Sequence, residues 1–246
     1  MPINNLAVAA CFVAVALLAV IGTLYVARSR RRLLARFARE LGFSFKGAER
    51  LEVPKLMREG RLSLRGRLLV RNVMRGTAGG RQVLTFEVHP EARSLSRSSL
   101  STRGRWRENL SSICTFTLPV EVPRLAVCPM SLLNVDLFGF FRSDDRYHMR
   151  FESDEFNRAF RVQSDDRKFA FDVLGAEVMS WLLDHPGWAV DFAADWFILR
   201  NGALWSPEEY RQAFDFGAGL LDRIPEFVWR EHAAGGALET TRDTET

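Results

Sequence analysis

The stretch LAVAACFVAVALLAVIGTLYVA, residues 6–27, runs directly into RSRRR, residues 28–32, and this junction decides how the chain is organised. The first segment has 22 consecutive uncharged residues, mostly Ala, Val and Leu. A helix of that length spans ~33 Å, against a hydrocarbon core of ~30 Å. The sequence therefore predicts a transmembrane anchor over residues 1–27.

The charges beside the apolar stretch predict its orientation. Residues 1–5 contain no basic side chain, whereas Arg28, Arg30, Arg31 and Arg32 follow the stretch. Basic flanks stay on the cytoplasmic side of a membrane. We therefore expect a single-pass protein of the cell membrane, with its amino terminus outside and its domain in the cytoplasm. The alternative is an exported domain with a cleaved signal peptide, which favours basic residues before the apolar run.

Residues 28–44 predict a basic juxtamembrane helix. Leu33, Leu34, Phe37 and Leu41 lie at helical spacing, and Gly42 can end the helix. The same apolar stripe can lie on lipid or pack against the domain, and the sequence leaves both open. Near an anionic leaflet each basic residue contributes on the order of 1 kcal/mol. The expected membrane-surface residues are Arg28, Arg30, Arg31, Arg32, Arg36 and Arg39.

Residues 45–232 predict one α+β domain of antiparallel strands and two to three amphipathic helices. Alternating apolar residues predict strands over 61–89 and 112–127 and a tight hairpin over 188–200. A helix is expected over 166–184 with Ser164 as its cap, and Ser206-Pro207-Glu208-Glu209 is a capping box for another. Strands occur before and between helices without regular βαβ alternation, which is typical of the α+β class. A sub-boundary is expected near 142–146 and a disordered tail over 233–246.

Charge is distributed unevenly along the chain. Residues 28–75 hold fifteen basic and four acidic side chains, whereas residues 151–246 hold nine basic and nineteen acidic ones. The proximal part therefore favours the bilayer and anionic lipid headgroups, and the distal part favours a basic protein partner. The Ser- and Arg-rich residues 93–107 predict an exposed, solvated loop, and no nucleic-acid partner is expected.

No motif for catalysis or for a cofactor is found along the chain. Walker, G-x-S-x-G, H-E-x-x-H and dinucleotide signatures are missing, and the four histidines lack metal-site spacing. We expect no catalytic residue, no cofactor and no metal. The alternative is a membrane-bound hydrolase that uses its acidic pairs, although Asp beside Ser is more often a helix cap. These pairs are Asp144-Asp145, Asp154-Glu155 and Asp165-Asp166.

The three cysteines predict free thiols. Cys11, Cys114 and Cys128 form no C-x-x-C spacing, and such a sparse set is typical of a reducing compartment. A bridge between Cys114 and Cys128 stays open as an alternative that would contradict a cytoplasmic domain.

Several segments between about Val70 and Arg200 resemble an uncharacterised family of bacterial membrane-anchored proteins, some of them encoded beside LemA-type proteins. The resemblance implies a membrane-anchored protein and brings no catalytic residue with it. Together with the anchor, it favours a membrane-tethered cytoplasmic interaction or accessory domain in an envelope-associated process. The segments are Arg71-Asn72-Val73-Met74-Arg75-Gly76, Leu84–Val88, Leu118-Pro119, Phe156–Val162 with Asp165-Asp166, and Asp195–Arg200.

Overall fold

The chain folds as a long amino-terminal helix joined to an antiparallel sheet that carries further helices, which confirms the predicted α+β class. The computed structural model describes residues 3–52, 67–88, 111–135 and 147–233. The predicted loop at 93–107, the sub-boundary near 142–146 and the tail after residue 233 lie outside these ranges.

The first helix, α1, runs without a break over Ile3–Glu40. It ends as the sequence predicted, because Gly42 adopts a φ of +71°. The N–H of Phe43 then donates to the carbonyl of Ala38 at 2.7 Å, which closes a glycine cap.

The apolar anchor and the juxtamembrane segment are therefore one element. The predicted boundaries separated residues 1–27 from 28–44 and began the domain at 45. Leu34, Phe37 and Ala38 are buried in the main core, so the carboxyl-terminal part of α1 belongs to the domain. A cut at residue 45 would remove part of the core.

Seven strands are present in the described ranges, and all of them pair antiparallel. The order is β1-β2-β3-β4-β6-β5, with β7 also paired to β4. The predicted strand–turn–strand unit is β2–β3, and Gly79 and Gly80 turn it with φ of +56° and +73°. The sequence did not predict β1. The bounds are β1 Ser44–Glu52, β2 Arg67–Ala78, β3 Arg81–Val88, β4 Ser111–Pro129, β5 His148–Met149, β6 Phe160–Ser164 and β7 Ala189–Arg200.

Strands β4 and β7 form a sharply bent ribbon. The register shifts between Thr117 and Val122 of β4, and Ala194 of β7 has a φ of +48°. The bend brings Asp191 Oδ2 to 3.1 Å from Arg200 Nε, although nine residues of straight strand span ~30 Å. The hairpin predicted in this region is wrong, because the whole segment is one strand whose partner is β4.

The helix predicted over 166–184 is two helices, because the chain leaves helical geometry at Leu174 and Gly175. The cap of the first is Asp166, whose carboxylate accepts from the N–H of Phe169 at 3.0 Å, and not Ser164. The bounds are α2 Asp154–Ala159, α3 Arg167–Val173, α4 Ala176–Asp184 and α5 Pro207–Leu221, with a last helix over 226–233.

The capping box predicted at the start of α5 is confirmed. Ser206 Oγ accepts from the N–H of Glu209 at 3.3 Å, and the Glu209 carboxylate accepts from the N–H of Ser206 at 2.7 Å. The helix then packs closely on the sheet at Gly217, where a Cβ would lie 2.4 Å from the ring of Phe116. Helices α1 and α5 therefore cover the same face of β2, β3 and β4.

Candidate functional site: the junction of the long helix with the domain

A buried carboxylate joins α1 to the sheet. Glu87, at the end of β3, has a fully buried side chain. Arg30 Nε donates to its Oε1 at 2.8 Å, and Asn72 Nδ2 donates to its Oε2 at 2.7 Å. Arg30 also donates from Nη2 to the carbonyl of Trp205 at 2.9 Å. These charge-assisted bonds fix the helix to two separate parts of the domain.

A bulge in β2 aims Asn72 at this carboxylate. The register of β2 against β3 shifts between Arg71 and Met74, and Asn72 lies in the bulge with a φ of +49°. Asparagine tolerates this left-handed conformation better than most residues. Bulges redirect side chains, and here the redirected amide reaches Glu87.

A second set of hydrogen bonds continues from the junction into α5. Ser112 Oγ accepts from the Tyr210 hydroxyl at 3.1 Å and from the N–H of Trp205 at 3.0 Å. Tyr210 is fully buried. Burial, and after it the charge of Glu87, raise the pKa of the Tyr210 phenol well above its ordinary value. The phenol therefore stays a neutral hydrogen-bond donor at every physiological pH.

Apolar contacts surround these polar groups. Phe37 of α1 lies 6.1 Å, centroid to centroid, from the ring of Tyr210, and Arg211 stacks on the other side with its Cζ 4.9 Å from the Phe37 centroid. Phe43, just after α1, lies 5.5 Å from Phe214. What this arrangement does chemically is to lock an apolar helix rigidly to a folded domain.

The open question of where the apolar stripe of α1 packs is answered by burial. Leu34 and Phe37 are 0% and 2% exposed, and their neighbours are domain residues. Leu33 is 48% exposed and lies outside the contact. The stripe therefore packs on the domain and is not available to lie on lipid.

The six arginines expected at the membrane surface separate into distinct groups. Arg30 belongs to the junction, since its guanidinium is bound to Glu87. The guanidinium of Arg31 is exposed but lies against Gly47 of β1. The other four are exposed and, by helical spacing, lie opposite the core face: Arg28, Arg32, Arg36 and Arg39. A membrane-surface role for these arginines stays a prediction.

Helix α1 is the one described helix that is long and apolar enough to cross a membrane. No part of its apolar window is buried against the rest of the chain. The exposed residues include Leu17, Leu18, Ile21 and Leu24, each more than half exposed. An apolar surface of this length is suited to the interior of a bilayer.

The described acidic pairs lie at helix starts. Asp154 and Glu155 occupy the first turn of α2, where carboxylates complement the helix dipole, and Asp166 caps α3. Asp165 is exposed. The pair Asp144-Asp145 lies outside the described residues. No observation therefore favours the hydrolase alternative.

A groove of about 350 Å³ lies beside the β2–β3 turn. Thr77, Gln82, Thr117 and Trp196 line it, together with Arg75, whose Nη1 lies 2.7 Å from Glu49. The lining contains no histidine, cysteine or carboxylate. Across the described part of the chain, no three metal-ligating side chains come together.

Cys114 and Cys128 are buried and are not joined by a disulfide, which decides against the bridge that the sequence left open. Burial raises the pKa of the Cys114 thiol well above its ordinary value, so this thiol is unreactive.

The fold is similar to that of one solved structure. The crystal structure of the mycobacterial trehalose monomycolate transport factor A, TtfA, superposes with a TM-score of 0.54 and 12% sequence identity. The match covers 79% of this chain and 96% of that one. No protein-family model and no curated sequence matches the chain. At this identity the likeness shows a shared fold.

Proposed function

We propose that the chain is a membrane-tethered accessory protein of an envelope-associated process, with its domain on the cytoplasmic side. The observation that carries this proposal is α1, which continues from an exposed apolar stretch into the core and is bound there through Arg30 and Glu87. A domain held in this way keeps a fixed orientation relative to the bilayer. That property suits a protein that presents surfaces to neighbours in the membrane.

Three further observations support an accessory role over a catalytic one. The Glu87 carboxylate is bound by Arg30 and Asn72, and Asp154, Glu155 and Asp166 lie at helix starts, where Asp166 is a cap. TtfA, which shares the fold, is by name a transport factor. The proposal also agrees with the resemblance to membrane-anchored bacterial proteins of unknown function. Arg28, Arg31 and Arg32 would face anionic headgroups, and the acidic distal part would meet a basic protein partner.

Reporter fusions test the topology on which this proposal depends. A green fluorescent protein fused after Thr246 should be fluorescent, and alkaline phosphatase fused at the same position should be inactive. Intact-mass measurement of the membrane-extracted protein should include residues 2–27. An active phosphatase fusion, or a mature protein that begins after Ala27, would contradict the proposal.

A further inference from the structure

The outer face of α1 carries a row of arginines that the fold does not use. Arg28, Arg32 and Arg36 follow one another at intervals of four residues, and Arg39 comes three residues later. All four are exposed, and they lie on the face opposite Leu34 and the other core residues. At 1.5 Å per residue this row extends ~16 Å along the helix axis. We call these four residues the arginine row.

The row has no acidic partner within the described chain. The carboxylate nearest to it in sequence is Glu40, which pairs with Arg211 of α5 at 3.6 Å. Arg39 donates only to the carbonyl of Ala35, at 3.3 Å. Like charges three or four residues apart on a helix destabilise it by ~0.2–0.5 kcal/mol per pair. The arginine row therefore lowers the stability of α1, whereas Arg30 stabilises the junction.

A lipid surface does not account for the whole row. The headgroup layer extends ~5–8 Å beyond the hydrocarbon core, so Arg28 and Arg32 lie within it. Arg36 and Arg39 are nine and twelve residues past Ala27, or ~13 and ~18 Å along a continuous helix. Salt screens exposed charges over ~8 Å at physiological strength. Measured from the outer edge of the headgroup layer, Arg39 is ~10–13 Å away and lies beyond one screening length, whereas Arg36, at ~5–8 Å, lies within it.

We propose that the arginine row is a docking surface for an acidic helix of a membrane protein that emerges from the bilayer beside α1. Carboxylates at matching intervals on such a helix would face all four guanidinium groups at once. Carboxylate is the group that guanidinium binds best, with two parallel hydrogen bonds. The inference rests on the proposed tethered topology, because the partner must leave the membrane on the same side. Such docking would place the accessory domain beside a specific membrane protein.

The test uses the full chain in nanodiscs of neutral phosphatidylcholine and a fluorescent, Ala-rich helical peptide. The peptide carries four glutamates at spacings of four, four and three, and a second peptide of equal composition spreads them around the helix. Fluorescence anisotropy should show at least fivefold tighter binding of the spaced peptide. Arg36→Gln/Arg39→Gln should weaken that binding about tenfold. The matched control, Arg158→Gln/Arg230→Gln, removes two exposed charges elsewhere and should leave it unchanged.

Two results would overturn the docking surface. Equal binding of both peptides, or equal loss of binding in both double variants, would mean non-specific charge attraction.

A lipid role is examined by spin labels on Arg28→Cys and Arg39→Cys in a Cys11→Ala background, with nickel-chelating lipid in the nanodisc. The nickel should strongly enhance the spin relaxation of the label at position 28 and only weakly enhance that of the label at position 39. Equal relaxation would assign the row to lipid, while the topology shown by reporter fusions would stand.

Discussion

Arg30 lies three residues past the last apolar residue of the anchor and donates from its Nε to Glu87 at 2.8 Å, where the carboxylate is fully buried. A basic residue that the sequence places among the topology signals is therefore also a structural contact of the domain. Because Arg30 and the apolar stretch share one helix, the apolar stretch and the sheet are linked by covalent structure and by this ion pair.

Loss of Arg30 should destabilise the domain strongly. In Arg30→Met the Glu87 carboxylate loses the Arg30 guanidinium while Asn72 remains, and removal of one partner of a buried pair costs ~3–5 kcal/mol. Urea unfolding of a fragment spanning residues 28–233 measures this free energy. Arg32→Met removes an exposed neighbour and should change it by less than ~0.5 kcal/mol. Equal stability of the two variants would show that the pair does not hold the junction.

The folded unit should begin within α1. A fragment of residues 28–233 should unfold in one cooperative transition, because it retains Leu34, Phe37 and Ala38. A fragment of residues 45–233 should lose that cooperativity, since each missing large core side chain is worth ~2–5 kcal/mol. Circular dichroism during urea unfolding distinguishes the two. A cooperative transition of equal midpoint in the shorter fragment would mean that α1 only rests on the domain.

Tyr210 should resist ionisation as long as the fold is intact. Its pKa is raised in the folded state, so the unfolded chain releases this proton first, near pH ~10. The associated stability is complete below that pH and falls as pH rises above it. In the 28–233 fragment with Tyr147→Phe, tyrosinate absorbance should appear only together with loss of the circular dichroism signal. A titration near pH ~10 in the folded fragment would contradict the buried network.

The arginines nearest the bilayer should bind anionic lipid. The 28–233 fragment should bind phosphatidylserine vesicles in a salt-dependent manner and should not bind neutral vesicles. Arg28→Gln/Arg31→Gln/Arg32→Gln should remove most of this binding, as measured by vesicle sedimentation. If the triple variant binds as well as the parent, these residues serve only as a topology signal.

Local patterns allowed much of the fold to be predicted. The glycine cap at Gly42, the β2–β3 unit and the capping box at Ser206 follow from short-range chemistry, and each is present. The predictions that failed depend on tertiary contacts between distant parts of the chain. The segment at Trp188–Arg200 alternates as two short strands would, but a bend at Ala194 keeps it one strand, because β4 supplies a partner along its whole length.

The junction itself was only partly visible in the sequence. Glu87 shares its alternation with Val83 and Thr85, so its place on the inward face was available as a signal. Nothing in the local sequence indicates that its partner is Arg30, which lies 57 residues earlier. Arg30 belongs to a run of basic residues that the sequence analysis already interprets as a membrane flank. Long-range pairing of this kind follows only from the packing of α1 on the sheet.

The continuity of α1 is most directly tested by a distance across the membrane boundary. Spin labels on Thr23→Cys and Arg39→Cys, in a Cys11→Ala background that leaves the buried Cys114 and Cys128 unmodified, are separated by sixteen residues of helix, or ~24 Å along the axis. Pulsed electron spin resonance of the full chain in nanodiscs should give one narrow distance distribution, centred above this axial separation because the two positions lie on opposite sides of the helix. A broad or bimodal distribution would mean that α1 breaks where it leaves the bilayer, and the rigid tether would be contradicted.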